Sequence, residues 1–282
     1  MAYKIYTDSS ADLSNEIINR YNISVIPLSV IFEDKEYLDL TPAEFYKKLG
    51  ESENLPTTSQ VPPERFIEAF SKEIKKGNKI IFISIGSNAS GTFQSAVIAK
   101  ETLGNDDIYL IDSNSLCLGT GMIAIRAAEM LENNNTIEEI IEMAKYYSDN
   151  NIEHLFCVDT LKYLKKGGRI KASKAMIAEV LNIKPVLTVE DAITVLQDKV
   201  RGRNKIISYF ILHMKNTIDL EKTNRILVGH AMDIAFAQKL EKAIYEELNF
   251  QGEILISEIG PIIGTHSGPG ILAVFYIKKL IK

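Results

Sequence analysis

Ile80-Ile81-Phe82-Ile83-Ser84-Ile85-Gly86-Ser87-Asn88-Ala89-Ser90-Gly91-Thr92 passes from an apolar run into a small polar turn, and helical spacing then holds from Gly91 to Leu103. A short apolar run bounded by glycine and serine predicts a buried strand, and the turn behind it a strand-to-helix loop. The alternation continues on both sides. Ile5-Tyr6, Val25 to Phe32 and Ile108 to Ile111 are further apolar runs, and two of the four are unbroken enough for a parallel sheet covered on both faces. Ser14 to Tyr21, Phe66 to Lys76 and Gly121 to Glu132 carry helical spacing, and Thr41-Pro42-Ala43-Glu44 combines a capping box with proline at the first helical position. The first half is expected to be a three-layer α/β domain with a parallel sheet.

The second half has a different pattern. Thr136 to Glu139 repeats the capping box and opens a helix of about fourteen residues, ending near Asn150-Asn151. The domain boundary is expected there, dividing the chain into 1–150 and 151–282. Strand candidates follow at Leu155 to Val158, Lys184 to Val189, Ile193 to Leu196, Ile226 to Val228, Ile254 to Ser257 and Leu272 to Ile277, with a hairpin-like turn at Glu190-Asp191. These spacings predict a mixed or antiparallel α/β domain. A chain of 282 residues exceeds one typical domain, so two α/β domains sharing a ligand cleft are expected.

Composition excludes several classes. With 46% hydrophobic and 24% charged residues the chain has the balance of a globular protein, not of a disordered one. A net charge of −5 argues against a general nucleic-acid binder. No segment approaches ~18 uninterrupted apolar residues, and Met1 to Tyr6 runs directly into a strand where a signal peptide would need an apolar core, so a cytoplasmic location is expected. Cys117 and Cys157 lie in apolar surroundings without CxxC spacing, which predicts buried free thiols. There is no GxxxxGK[ST], HExxH or GxSxG motif. Gly119-Thr120-Gly121-Met122-Ile123-Ala124 matches GxGxxA but starts several residues past its strand, and glycines that let a helix pack closely explain it.

The chemistry gathers behind the strands. Thr7 to Asp12, Gly86 to Thr92 and Asp112 to Ser115 are small and polar, and in open α/β sheets such loops meet ligands at the carboxyl ends of strands, where free amides favour an anion. Asp8, Ser10, Asp12 and Ser113 serve equally well as helix caps, whereas Ser90, followed by Gly91 and Thr92, offers a hydroxyl-and-amide cradle for a carboxylate or phosphate. A second cradle is Gly260-Pro261-Ile262-Ile263-Gly264-Thr265-His266-Ser267-Gly268-Pro269-Gly270, whose four glycines and two prolines surround a Thr-His-Ser cluster in what is expected to be a rigid loop between strands. His266 is the only one of four histidines in a glycine-rich setting, and without a paired nucleophile it suits ligand binding. His154, His213 and His230 are expected to be structural.

Five segments together, Thr7-Asp8-Ser9-Ser10-Ala11-Asp12-Leu13, Pro56-Thr57-Thr58-Ser59-Gln60, Ser90-Gly91-Thr92-Phe93-Gln94-Ser95-Ala96, Leu161 to Ile170 and Gly260 to Gly270, resemble the DegV family in order and across nearly the whole chain. Phe93 stands where the family often has tyrosine and Val61 where proline often follows; neither removes a proposed donor. The resemblance implies two α/β domains around a deep cleft, one bound long-chain fatty acid, and service as the acyl-carrying, non-catalytic subunit of a bacterial fatty acid kinase. It implies no cofactor and no metal. Carried onto this chain, it gives Thr58, Ser90 and His266 as carboxylate contacts, with Gly91, Thr92 and Thr265 beside them. The alternative is a stand-alone enzyme acting on a small carboxylate or phosphate through His266 and Ser90.

One charge feature is left. Lys162 to Lys174 holds six basic residues and no acidic one, and Lys199, Arg201, Arg203 and Lys205 alternate as if on one strand face. A solvated face, or a patch for phosphate or nucleic acid, explains such charges. With the resemblance, Arg169 and Arg201 are expected to dock the ATP-dependent kinase subunit.

Overall fold

The computed structural model of the chain describes residues 2–171 and 182–279. β1 (Tyr3–Asp8), β2 (Ser24–Ile26), β6 (Lys79–Ser84) and β7 (Ile108–Asp112) form a wholly parallel sheet in the order β2-β1-β6-β7. β3 (Ser29–Phe32), β4 (Lys35–Tyr37) and β5 (Thr57–Ser59) make a small antiparallel sheet with β3 in the middle. The third sheet holds β8 (Ile152–Cys157), β9 (Ile183–Glu190), β10 (Ile193–Arg201), β11 (Arg225–His230), β12 (Glu253–Glu258) and β13 (Leu272–Ile277) in the order β10-β9-β8-β13-β11-β12. It is mixed: β11 and β12 run parallel, and its other neighbours are antiparallel. The parallel sheet and the separate mixed sheet are those the sequence pattern predicts.

The helices are α1 (Asn15–Arg20), α2 (Pro42–Glu51), α3 (Pro63–Lys75), α4 (Thr92–Leu103), α5 (Leu118–Glu132), α6 (Ile137–Tyr146), α7 (Lys162–Gly167), α8 (Ile206–Thr217), α9 (Ile234–Leu248) and α10 (Pro261–Ser267). None in the described residues is long and apolar enough to cross a membrane. Thr41 and Thr136 close both halves of their capping boxes. Helix α6 is shorter than its pattern suggests, because a wider turn takes over at Tyr147 to Asn151.

Covering elements decide which strands are buried. Ile80, Ile81, Phe82 and Ile83 are fully buried on both faces of β6, with Phe82 edge-on to Phe66 of α3 at 4.9 Å between ring centres. Helix α5 touches β1 and β6 of the first sheet and β8 and β11 of the third, so it is buried almost all round. Its glycines are packing positions: a Cβ at Gly119 would collide with Ser115 and His154, and one at Gly121 would crowd Leu13 and Ala11. Arg225 ties α5 to the third sheet, pairing with Glu129 at 2.8 Å and Glu253 at 2.7 Å.

Three expectations need correction. Val25 to Phe32 is two strands in different sheets, since Pro27 has no N–H for a ladder and Leu28 N donates to Ser9 Oγ at 3.0 Å. The glycine-rich stretch after β12 contains a helix, α10. Pro261 suits the first helical position, and Gly264 leaves room for α2, since a Cβ there would lie 2.7 Å from both Phe45 and the Tyr46 hydroxyl. Of the four alternating basic residues only Lys199 and Arg201 lie on β10. Gly202, at φ 86°, ends the strand, and Arg203 pairs with Asp159 and Asp233. The hairpin is present one residue later, with Asp191 and Ala192 both left-handed between β9 and β10. The basic run beyond Lys171 lies outside the described residues.

Candidate functional site

A cavity of about 410 Å3 lies where the carboxyl end of the parallel sheet meets the face of the mixed sheet. Ile85 and Leu116 come from loops behind β6 and β7, Phe156, Val189, Ala273 and Phe275 from the mixed sheet, and Ile262 and Ile263 from α10. Such a volume is in the range of small-molecule sites, and apolar walls with few polar groups suit an apolar ligand with a polar end.

Three of its polar groups are those expected to contact the carboxylate. Thr58, on β5, places its Oγ1 2.9 Å from His266 Nε2 on α10, across 208 residues of sequence. Ser90 and Gly91 enter from the loop before α4 and line the same cavity. Ser90 Oγ accepts from Thr92 N at 3.3 Å and lies 2.9 Å from Thr92 Oγ1, so the start of α4 fixes it. Gly91 is glycine for a local reason: a Cβ would collide with the Gln60 side chain that crosses it.

Thr92 and Thr265 stand behind this wall. Thr92 is fully buried, and its hydroxyl lies within hydrogen-bond reach of Ser90 and Val61 N. Thr265 Oγ1 donates to Pro261 O at 2.8 Å, one turn back in its own helix. The structure thus brings Thr58, Ser90, Gly91 and His266 to one cavity and sets the other two threonines in support. Arg169 also reaches this wall, with Nε donating to Ala89 O at 3.3 Å and Nη1 to Gly167 O at 2.6 Å. Arg201 is exposed at the end of β10, away from the cavity lining.

Burial, and then the nearby Arg169 charge, push the His266 imidazole down to about 4, so it is neutral at pH 7. Its Nδ1 is buried and has no hydrogen-bond partner among the described residues. Gly167 lies against that nitrogen, and a side chain there would collide with the ring.

Two wall residues were read as structural or inert. His154 lines the cavity with Nε2 2.5 Å from Ser115 Oγ and Nδ1 3.2 Å from Ile152 O, and burial pushes it down to about 4. Cys117, also on the wall, has a left-handed backbone at φ 55° and donates its thiol to Asp12 Oδ2 at 3.1 Å. Its place directly after the polar loop behind β7 is the signal that could have identified it. His154 sits in an apolar strand and gives no such signal. Among the described residues no group of His, Cys, Asp and Glu is placed to hold a metal.

Asp12 anchors α10. Its Oδ1 accepts from Gly260 N at 3.0 Å, and burial pushes the carboxyl up to about 7. An unfolded aspartate titrates near ~3.9, so between ~4 and 7 the folded chain binds the extra proton and stability falls as pH rises, by up to ~1.4 kcal/mol per unit. His154 acts oppositely, removing stability as pH drops below ~6.5, but equally in any Asp12 variant. Asp12→Asn should therefore gain stability relative to the wild type between pH 5 and pH 7 in urea unfolding. A pH-independent difference would contradict this assignment.

A family model described as "Uncharacterised protein, DegV family" matches residues 2–279. The chain is similar to a DegV domain-containing protein of Caldanaerobacter subterraneus subsp. tengcongensis, 38% identical over 279 residues and 98% of each chain. Among solved structures, a DegV family protein from Thermus thermophilus described for its fatty acid binding superposes with a TM-score of 0.87 at 28% identity, over 99% of this chain and 100% of that one. DegV from Bacillus subtilis, described as a fatty acid binding protein, gives a TM-score of 0.84 at 32% identity over 99% and 100%.

Proposed function

Because this chain belongs to the DegV family, we propose that its cavity holds one long-chain fatty acid and presents the carboxylate to a separate ATP-using kinase for acyl phosphate formation. The observation that carries this reading is the Thr58–His266 pair in a cavity lined mostly by apolar side chains, with Ser90 on the same cavity. Two structural neighbours described as fatty-acid-binding support it. The acyl chain lies among Ile85, Phe156, Ile271 and Phe275, and Thr58, Ser90 and His266 fix its head.

In this reading 1–150 and 151–282 are two domains that close on the ligand, and the protein is a cytoplasmic carrier without an ATP site of its own. The sequence has no GxxxxGK[ST] loop, and Ser90 bonds Thr92 while His266 bonds Thr58, so no Ser90–His266 nucleophile pair favours a stand-alone enzyme. Phosphorylation then belongs to the partner, with Arg169 and Arg201 as its docking cations.

The test is a reconstitution with ATP and a purified fatty acid kinase subunit, reading acyl phosphate. Wild type forms the product, and charge reversal at Arg201, which stands away from the cavity lining, abolishes it with bound lipid unchanged. Turnover without the kinase, or loss of lipid in the Arg201 variant, would overturn the respective part of the reading.

A further inference from the structure

Beside the lipid cavity lies a second, smaller one of about 100 Å3 that shares Thr58, Arg169 and His266 with it. We propose that this pocket is a phosphoryl subsite, which receives the phosphate of the acyl phosphate once the carboxylate has been phosphorylated. The proposal rests on the carrier reading above and names the group the site accepts after reaction.

Charge is the first argument. Lys166 and Arg169 both line the pocket, and none of its walls is acidic. Lys166 forms no ion pair or hydrogen bond within the described residues, so its ammonium is available to an incoming anion. The acyl chain and carboxylate of a fatty acid already have their places in the larger cavity. A second group of cations beside the carboxylate contacts therefore suits extra negative charge.

His266 stands between the two cavities, with Nε2 at Thr58. With its one proton on Nε2 the neutral imidazole donates to Thr58 Oγ1, which leaves the Thr58 hydroxyl proton for the ligand's head group. Size is the second argument, because the pocket admits a group of a few heavy atoms, where one water takes ~30 Å3 of liquid.

The chemistry balances. A carboxylate oxygen forms a bond to the γ-phosphorus of ATP, the bond from that phosphorus to the β,γ-bridging oxygen breaks, and the oxygen leaves on ADP. The carboxylate enters ionised, so no proton has to move. A singly charged head becomes a doubly charged one, and Lys166 and Arg169 offset the added charge.

The experiment compares binding of hexadecanoic acid and its hydrolysis-resistant β-ketophosphonate analogue to delipidated full-length protein by calorimetry, in wild type, Lys166→Ala and Lys166→Arg. The expected result is tight binding of both ligands to wild type. Lys166→Ala should lose about tenfold in phosphonate affinity with acid affinity unchanged, and Lys166→Arg should restore most of the loss. Acid binding with no phosphonate binding in wild type, or Lys166→Ala changing neither ligand or both equally, would overturn the subsite. Failure of wild type to bind either ligand would instead overturn the carrier reading.

Discussion

Thr58→Ala and Ser90→Ala are each expected to lower acyl phosphate formation by about 10- to 100-fold while the protein keeps its lipid. The acyl chain dominates affinity: about fifteen methylenes at ~0.8 kcal/mol each give roughly 12 kcal/mol, whereas a neutral hydrogen bond nets ~1 kcal/mol. Position is another matter, because displacing a reacting atom by ~1 Å can cost ~100-fold in rate. Thr58 holds His266 and Ser90 is held by Thr92, so each hydroxyl is a fixed donor. Single-turnover phosphorylation beside lipid analysis of the same preparations separates the two effects. Unchanged phosphorylation in both variants would remove these residues from the carboxylate site.

Ala273→Phe is expected to empty the cavity of lipid altogether. Ala273 and Phe275 alternate on β13 towards the cavity, while Val274 and Tyr276 belong to the core on the sheet's other face. A phenyl ring at Ala273 would occupy the space of the acyl chain. In a filled core such a change costs ~1–3 kcal/mol, but here an open volume of about 410 Å3 receives the ring, so the melting temperature should change little. Extraction of the variant should yield no stoichiometric fatty acid. A full complement of fatty acid in a folded variant would show that the ligand lies elsewhere.

Local signals in the sequence were legible where local physics decides structure. The capping boxes at Thr41 and Thr136 and the apolar run at Ile80 specify their elements through near neighbours, and all three appear as read. Val25 to Phe32 misled because an apolar run does not say which sheet it joins, and one proline divided it. The glycines near His266 suggested a loop, yet Gly264 is small because Phe45 and Tyr46 of a distant helix press on it. Tertiary packing overrode the local pattern.

The site was legible in part for the same reason. Spacing along the chain marks Ser90 and His266 as unusual but cannot pair Thr58 with a residue 208 positions away; only the family resemblance joined them. His154 escaped notice because an apolar strand has the same pattern beside a cavity as beside a core. Arg169 appeared as surface charge, and its reach to the cavity wall depends on the fold around Gly167.

Denaturing mass spectrometry of the organic extract from purified protein tests the central claim most directly, since a ligand enclosed between two sheets should survive purification. The carrier reading predicts one long-chain fatty acid per chain. An empty extract that stays empty after incubation with mixed long-chain fatty acids would contradict it.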